Sequence, residues 1–152
     1  DYCYTRGSAF SFLVEQKPEY ARYFTSWEQI TPVSFPNPMQ NRIIENYCSG
    51  VYLSPDQVIQ LLKDMEQDPK VLEDLEGLWS NGQIAVLKKA LSAAAKSGVG
   101  LLEATEVVEP NPISPNESTS YSNLSHCDRD GVYLYIDAVS GQLADAIGKN
   151  EG

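Results

Sequence analysis

Apolar residues recur at three- and four-residue steps from Ser54 to Ser97, with polar side chains between them, a period that predicts helices with one dry face. The first of three opens on Ser54-Pro55-Asp56-Gln57, which puts a hydroxyl acceptor at the cap, proline at the first helical position and glutamine at the third. Val58, Ile59, Leu62 and Met65 supply its apolar face, and Pro69 stops it near Asp68 because an interior proline loses a hydrogen bond and clashes with the preceding turn. In the second, Val71, Leu72, Leu75, Leu78 and Trp79 repeat the pattern until Ser80-Asn81-Gly82, where glycine tolerates the left-handed backbone that ends helices. The third runs from Gln83 to Ser97 with Ile84, Leu87, Leu91 and Ala94 on one stripe, and Lys96 and Gly98 mark its end.

Upstream, Tyr20, Tyr23, Phe24, Trp27 and Ile30 follow Pro18 at helical steps and predict an aromatic helix face turned to the core. Prolines 32, 36 and 38 make 31–38 an extended connector, and Met39, Ile43, Ile44 and Tyr47 give the apolar face of a short helix ended by Gly50. The first sixteen residues suit either a strand (Phe10, Phe12, Val14) or a helix (Phe10, Leu13, Val14). Downstream, Thr105, Val107 and Val108 favour a strand over 101–108. Residues 109–130 are a long polar loop of Pro, Ser and Asn. Its Ser114-Pro115-Asn116-Glu117 has the letters of a capping box, but no apolar run follows to make a helix. Val132, Tyr135, Ile136, Val139, Leu143 and Ile147 then predict a closing helix, with a frayed tail after Gly148.

These elements make one globular domain over 1–152, an α+β fold that is mainly α: amphipathic helices around one core with a small strand component. Composition agrees, with 42% hydrophobic and 21% charged residues, and no apolar run reaches membrane-spanning length. A net charge of -10 with 11 scattered bases argues against nucleic-acid binding and makes a basic protein the natural partner. Cys3, Cys48 and Cys127 have neither CxxC spacing nor histidine-rich company, so no metal and no cofactor is expected. An odd thiol count fits a reducing cytoplasm, and an opening on Asp1 rather than methionine implies either a missing true start or a removed segment such as a signal peptide.

Leu53-Ser54-Pro55 followed by Val58, and Leu87 through Ala94 to Gly98 with Leu101 and Leu102 beyond, resemble the bacterial YfbM-like proteins. The resemblance covers about a third of the chain by the extent of these helix motifs. It implies an α+β domain of unknown function and carries over no functional residue.

One short run gathers reactive groups. Ser125-His126-Cys127-Asp128-Arg129-Asp130 holds the sole histidine, a thiol and two carboxylates, making His126, Cys127 and Asp128 the catalytic candidates. The competing reading is structural, with an aspartate capping the next helix, His126 bonded to a backbone group and Cys127 packed as a small hydrophobe. A calcium loop is excluded because counting back from Gly131 puts His126 at the first ligand position and Asp137 at the twelfth. Two functions follow. The first is an acidic protein-interaction domain of the immunity or antitoxin type, using Glu73, Asp74 and Glu76 within the run from Lys63 to Glu76, where six acids stand against only Lys63 and Lys70. The alternative is a small hydrolase or transferase with its pocket near the 109–130 loop.

Overall fold

Helix α2 (Pro55–Gln67) begins where its capping signature places it. The Ser54 hydroxyl accepts from the Gln57 N–H at 3.2 Å and the Gln57 side chain accepts from the Ser54 N–H at 3.0 Å, satisfying two of the donors a helix start leaves open. Asp68 ends α2 and starts α3 (Pro69–Leu78) by accepting from the Lys70 N–H. α4 (Gln83–Ser97) closes on Gly98, whose left-handed φ of 67° lets the turn fold back onto the last carbonyls. The computed structural model describes residues 1–7, 9–25, 51–104, 108–120 and 123–151.

α2 packs chiefly on α4, and strand β2 (Tyr52–Leu53), which leads into α2, pairs antiparallel with β3 (Leu101–Leu102), which leaves α4. The three-helix unit is thus tied at its base. The tie needs glycine at position 100, where a Cβ would lie 2.4 Å from the Leu53 carbonyl oxygen. Helix α1 (Phe10–Gln16) and a 3-10 helix at Pro18–Tyr23 cover the open side. Phe10 stacks between Phe24 and Trp79 with ring centroids 4.8 and 4.6 Å away, and Val58, Leu61, Leu75 and Leu91 are buried beneath.

A smaller apolar cluster lies beside this core. Strand β1 (Tyr2–Cys3) runs parallel to β6 (Cys127–Asp128), pairing Tyr2 with Cys127, and β4 (Val108–Glu109) pairs antiparallel with β5 (Thr119–Ser120). On these pack Val132 and Ile136 of α5 (Asp130–Glu151). Gly131 lets α5 start against the N-terminal segment, since a Cβ there would fall 1.7 Å from the Tyr4 carbonyl oxygen.

The chain is therefore mainly helical with short strands, as the periodicity predicts, and several details differ. Ile59 is 55% exposed while Leu61 is buried, because the dry stripe of α2 runs through Val58, Leu61 and Met65. The ambiguous start is helical from Phe10. The aromatic stripe is not a continuous α-helix: after Tyr23 the chain turns extended so that the Thr25 N–H can donate to the Tyr52 carbonyl at 2.7 Å. Of the strand expected over 101–108, Leu101–Leu102 and Val108 are strand in two different sheets, Glu103 and Ala104 are not strand, and 105–107 lie outside the described residues. The described residues of 109–130 carry the β4–β5 pair, single 3-10 turns at Pro115–Glu117 and Leu124–His126, and β6. α5 continues past Gly148, and its end is exposed, so Leu143 (52%) and Ile147 (59%) are surface and not core. Trp27, the 31–38 connector, the 39–47 helix and Cys48 lie outside the described residues.

Two glycines of α5 should respond oppositely to alanine. Gly131→Ala forces backbone apart and is expected to lower stability by about 1–3 kcal/mol, whereas Gly141→Ala meets open space and should raise it by about 0.5–1 kcal/mol. Ser54→Ala should cost about 1 kcal/mol through the lost cap. Urea midpoints check all three, and an unchanged midpoint for Gly131→Ala would remove the close contact with Tyr4.

Candidate functional site

The acidic run on α2 and α3 divides by direction. Asp64 and Asp74 turn inward to the aromatic segment, where the Tyr23 hydroxyl donates to Asp64 and the Tyr20 hydroxyl to Asp74 at 2.6 Å. Arg22 lies over both rings, 5.4 and 4.4 Å from their centroids, and donates to the Tyr23 oxygen at 2.9 Å. Lys17 completes the cluster as an ion pair with Asp74, whose side chain is 9% exposed. Hydrogen bonds from Lys17 and then Tyr20 hold the Asp74 carboxyl below its ordinary range, and burial followed by the bond to Asp74 pushes the Tyr20 phenol up. Asp56, Glu66, Asp68, Glu73 and Glu76 point outward. Among the described residues, Glu73 and Glu76 join no ion pair, so their charge faces water. Of the three residues taken together from sequence, Glu73 and Glu76 belong to this face and Asp74 belongs to the packing beneath it.

The His126 cluster does not converge. His126 ends a 3-10 turn, stands 62% exposed, and its Nδ1 lies 3.1 Å from the Asp1 carboxylate, so its partner is a side chain and not a backbone group. Cys127 is half-buried in the smaller cluster and its thiol donates to the Asp128 carbonyl at 3.4 Å. Burial raises its pKa, the opposite of what a nucleophilic thiolate needs. No hydrogen bond joins it to His126. Asp128 pairs with Lys89, which also holds Asp130 at 2.9 Å, and accepts from the Asp130 N–H at 3.2 Å, while Arg129, whose carbonyl accepts from the Tyr133 N–H, stands directly before α5 where an aspartate cap is expected from sequence. These partners hold the Asp128 carboxyl low.

Under the 109–130 loop, Val108, Pro115, Leu124, Cys127 and Val132 line a cavity of about 30 Å³, room for a water or two. A larger groove of about 220 Å³ lies between Arg6, Asn81 and Gln83 on one side and Leu134, Tyr135 and Val139 on the other. The Arg6 guanidinium sits 4.2 Å from the centre of the Tyr135 ring, and the Arg6 N–H donates to Gln83 Oε1 at 2.6 Å. Among the described residues no three His, Cys, Asp or Glu side chains gather as a metal would require.

One perturbed group escapes the sequence reading. Glu103, just past β3, accepts the Phe10 N–H on Oε2 at 2.9 Å, while Oε1 is closed to solvent and has no hydrogen-bond partner among the described residues. Burial pushes its carboxyl up to about 7, only partly offset by the Phe10 N–H. Its single sequence signal is an acid directly after the apolar pair Leu101-Leu102.

Comparison of the chain with known protein families, curated proteins and solved structures finds no match.

Removing the Asp74 carboxylate leaves a buried phenol and Lys17 without their acceptor, so Asp74→Ala is expected to destabilise by about 1–3 kcal/mol, whereas Glu73→Ala should stay within about 0.5 kcal/mol. Because the folded pKa of Asp74 is depressed, its contribution is present above the unfolded value of 3.8 and is lost as pH falls through the folded one. Acid titration of thermal stability for wild type and Asp74→Asn checks the sign, and equal acid sensitivity of the two proteins would count against the Lys17–Asp74–Tyr20 cluster.

Proposed function

We propose that the protein is an acidic protein-interaction domain whose α2–α3 face receives a basic protein partner, in the manner of an immunity or antitoxin protein. The observation that carries this reading is the sorting of the acidic run. Asp64 and Asp74 are consumed by internal hydrogen bonds, while Glu66, Glu73 and Glu76 stand outward without a cation among the described residues. Exposed charge of one sign focuses a field that speeds encounter with a surface of the other sign. Ile59, 55% exposed on α2, adds an apolar contact point within the same acidic helix pair. The face sits on two capped, tightly packed helices, so little ordering is needed on binding. No helix among the described residues is long and apolar enough to cross a membrane.

The competing enzyme reading puts a substrate near the 109–130 loop, with His126, Cys127 and Asp128 as the reactive groups. Their divergent partners and the water-sized cavity give it no geometric support.

Kinetics separate the two. With a purified basic partner, Glu73→Gln combined with Glu76→Gln should lower the association rate several-fold at low salt and little at high salt, since charges beyond about 10 Å are screened at 0.1 M. Dissociation should change less. His126→Ala should leave binding intact. A salt-independent association rate, or a hydrolase or transferase activity abolished by His126→Ala, would overturn the assignment.

A further inference from the structure

We propose that Glu103 is a proton-operated latch on α1: protonated, it locks the start of that helix onto the β2–β3 tie, and deprotonated, it frees the helix locally while α2, α3 and α4 stay folded. The latch spans three elements. Glu103 Oε2 accepts the N–H of Phe10, the first residue of α1, at 2.9 Å, and the Glu103 N–H donates to the Val51 carbonyl at 2.8 Å, beside β2. Oε1 is sealed from water and accepts nothing among the described residues. A neutral acid is tolerated far better there, because a protonated carboxyl keeps one oxygen for the Phe10 N–H and leaves a neutral O–H, not a charge, without a partner among the described residues. A carboxylate is tolerated poorly, having one bond for two charged oxygens and, among the described residues, no cation to offset burial.

The groups around it leave burial in control. Neither Glu15 nor Lys17, at the far end of α1, nor Tyr52 of β2 contributes to its proton affinity, which is set by burial and the Phe10 N–H. Glu103 lines neither the small cavity under the 109–130 loop nor the groove beside Arg6. Release of α1 is the short route by which the carboxylate gains water. The seven-residue helix is too short to persist alone, and its detachment uncovers Phe10, Leu13 and Val14 together with the Trp79 ring that Phe10 covers. Since the carboxyl's folded pKa is raised, the closed state is favoured at acid pH and weakens as pH rises through the folded value, after which the opening levels off.

Native-state hydrogen exchange on the full chain, corrected for intrinsic rates, tests this residue by residue. In wild type the opening constants of the Leu13 and Val14 amides should rise about 50-fold between about pH 5 and pH 7.5, while those in α4 around Leu91 stay flat. Glu103→Gln, which keeps an acceptor for Phe10 and cannot ionise, should remove the pH dependence. A carboxyl NMR titration of Glu103 in wild type, needing no variant, should give a midpoint near 7. An ordinary carboxylate midpoint, α1 opening that ignores pH, opening of α1 and α4 in parallel, or an unchanged profile in Glu103→Gln would each overturn the latch.

Discussion

Two tyrosine hydroxyls must find acceptors inside the main core, and much of the structure follows from how they do. Tyr20 and Tyr23 are 2% and 1% exposed, so their rings supply a large apolar area while each phenol would cost on the order of 1–3 kcal/mol if left unpaired. The acceptors are Asp74 on α3 and Asp64 on α2. Two carboxylates beside a dry core would themselves be costly, and Lys17 and Arg22 offset that, one by ion pairing and the other by lying over both rings. The 3-10 segment is thereby pinned to two helices at once, which positions Phe24 against Phe10 and Phe10 against Trp79.

The same constraint accounts for the double role of the acidic run. Seven acids between 56 and 76 look uniform in the sequence, and a wheel alone does not say which are spent internally. Sequence periodicity puts Asp64 and Asp74 on the wet side because they are charged; the structure places them at the margin of the dry side because tyrosines reach them from another element. Outward residues such as Glu73 and Glu76 keep their charge available, and the difference is set by Tyr23 and Tyr20, 41 and 54 residues from Asp64 and Asp74.

Legibility in sequence follows the range of the interaction that decides each element. α2, α3 and α4 are readable because caps, prolines and the 3.6 period act within four residues: Ser54, Pro69 and Gly98 mark boundaries as expected, whereas α3 already stops at Leu78 and the left-handed Gly82 stands at the start of α4. Ile59 and Leu61 exchanged roles because a single helix offers several apolar stripes and only the neighbour chooses between them. The β1–β6 pairing joins residues about 125 positions apart, and nothing local in Tyr2-Cys3 announces it. The stripe of α5 was legible throughout, but periodicity cannot tell how far the neighbouring elements extend, so Leu143 and Ile147 stand past the edge of the smaller cluster. The candidate site is less legible still: His126, Cys127 and Asp128 are neighbours in the chain with three different partners in space, since His126 closes a 3-10 turn and Cys127 and Asp128 point to opposite faces of β6.

Asp74 and Glu103 show why burial alone does not settle what a carboxylate does. Both sit at the edge of the main core and both accept a hydrogen bond from the α1 region or the segment after it. Asp74 has a lysine and a phenol converging on its two oxygens, so the charged form is solvated by the protein and its proton affinity falls. Glu103 has one backbone N–H and, among the described residues, no partner on its second, buried oxygen, so burial outweighs the single bond and its proton affinity rises. An aspartate that welcomes charge acts as a fixed brace, whereas a glutamate that resists it ties the attachment of α1 to protonation. That contrast comes from counting donors at each oxygen, a quantity fixed by tertiary contact and invisible in the composition that makes the chain acidic.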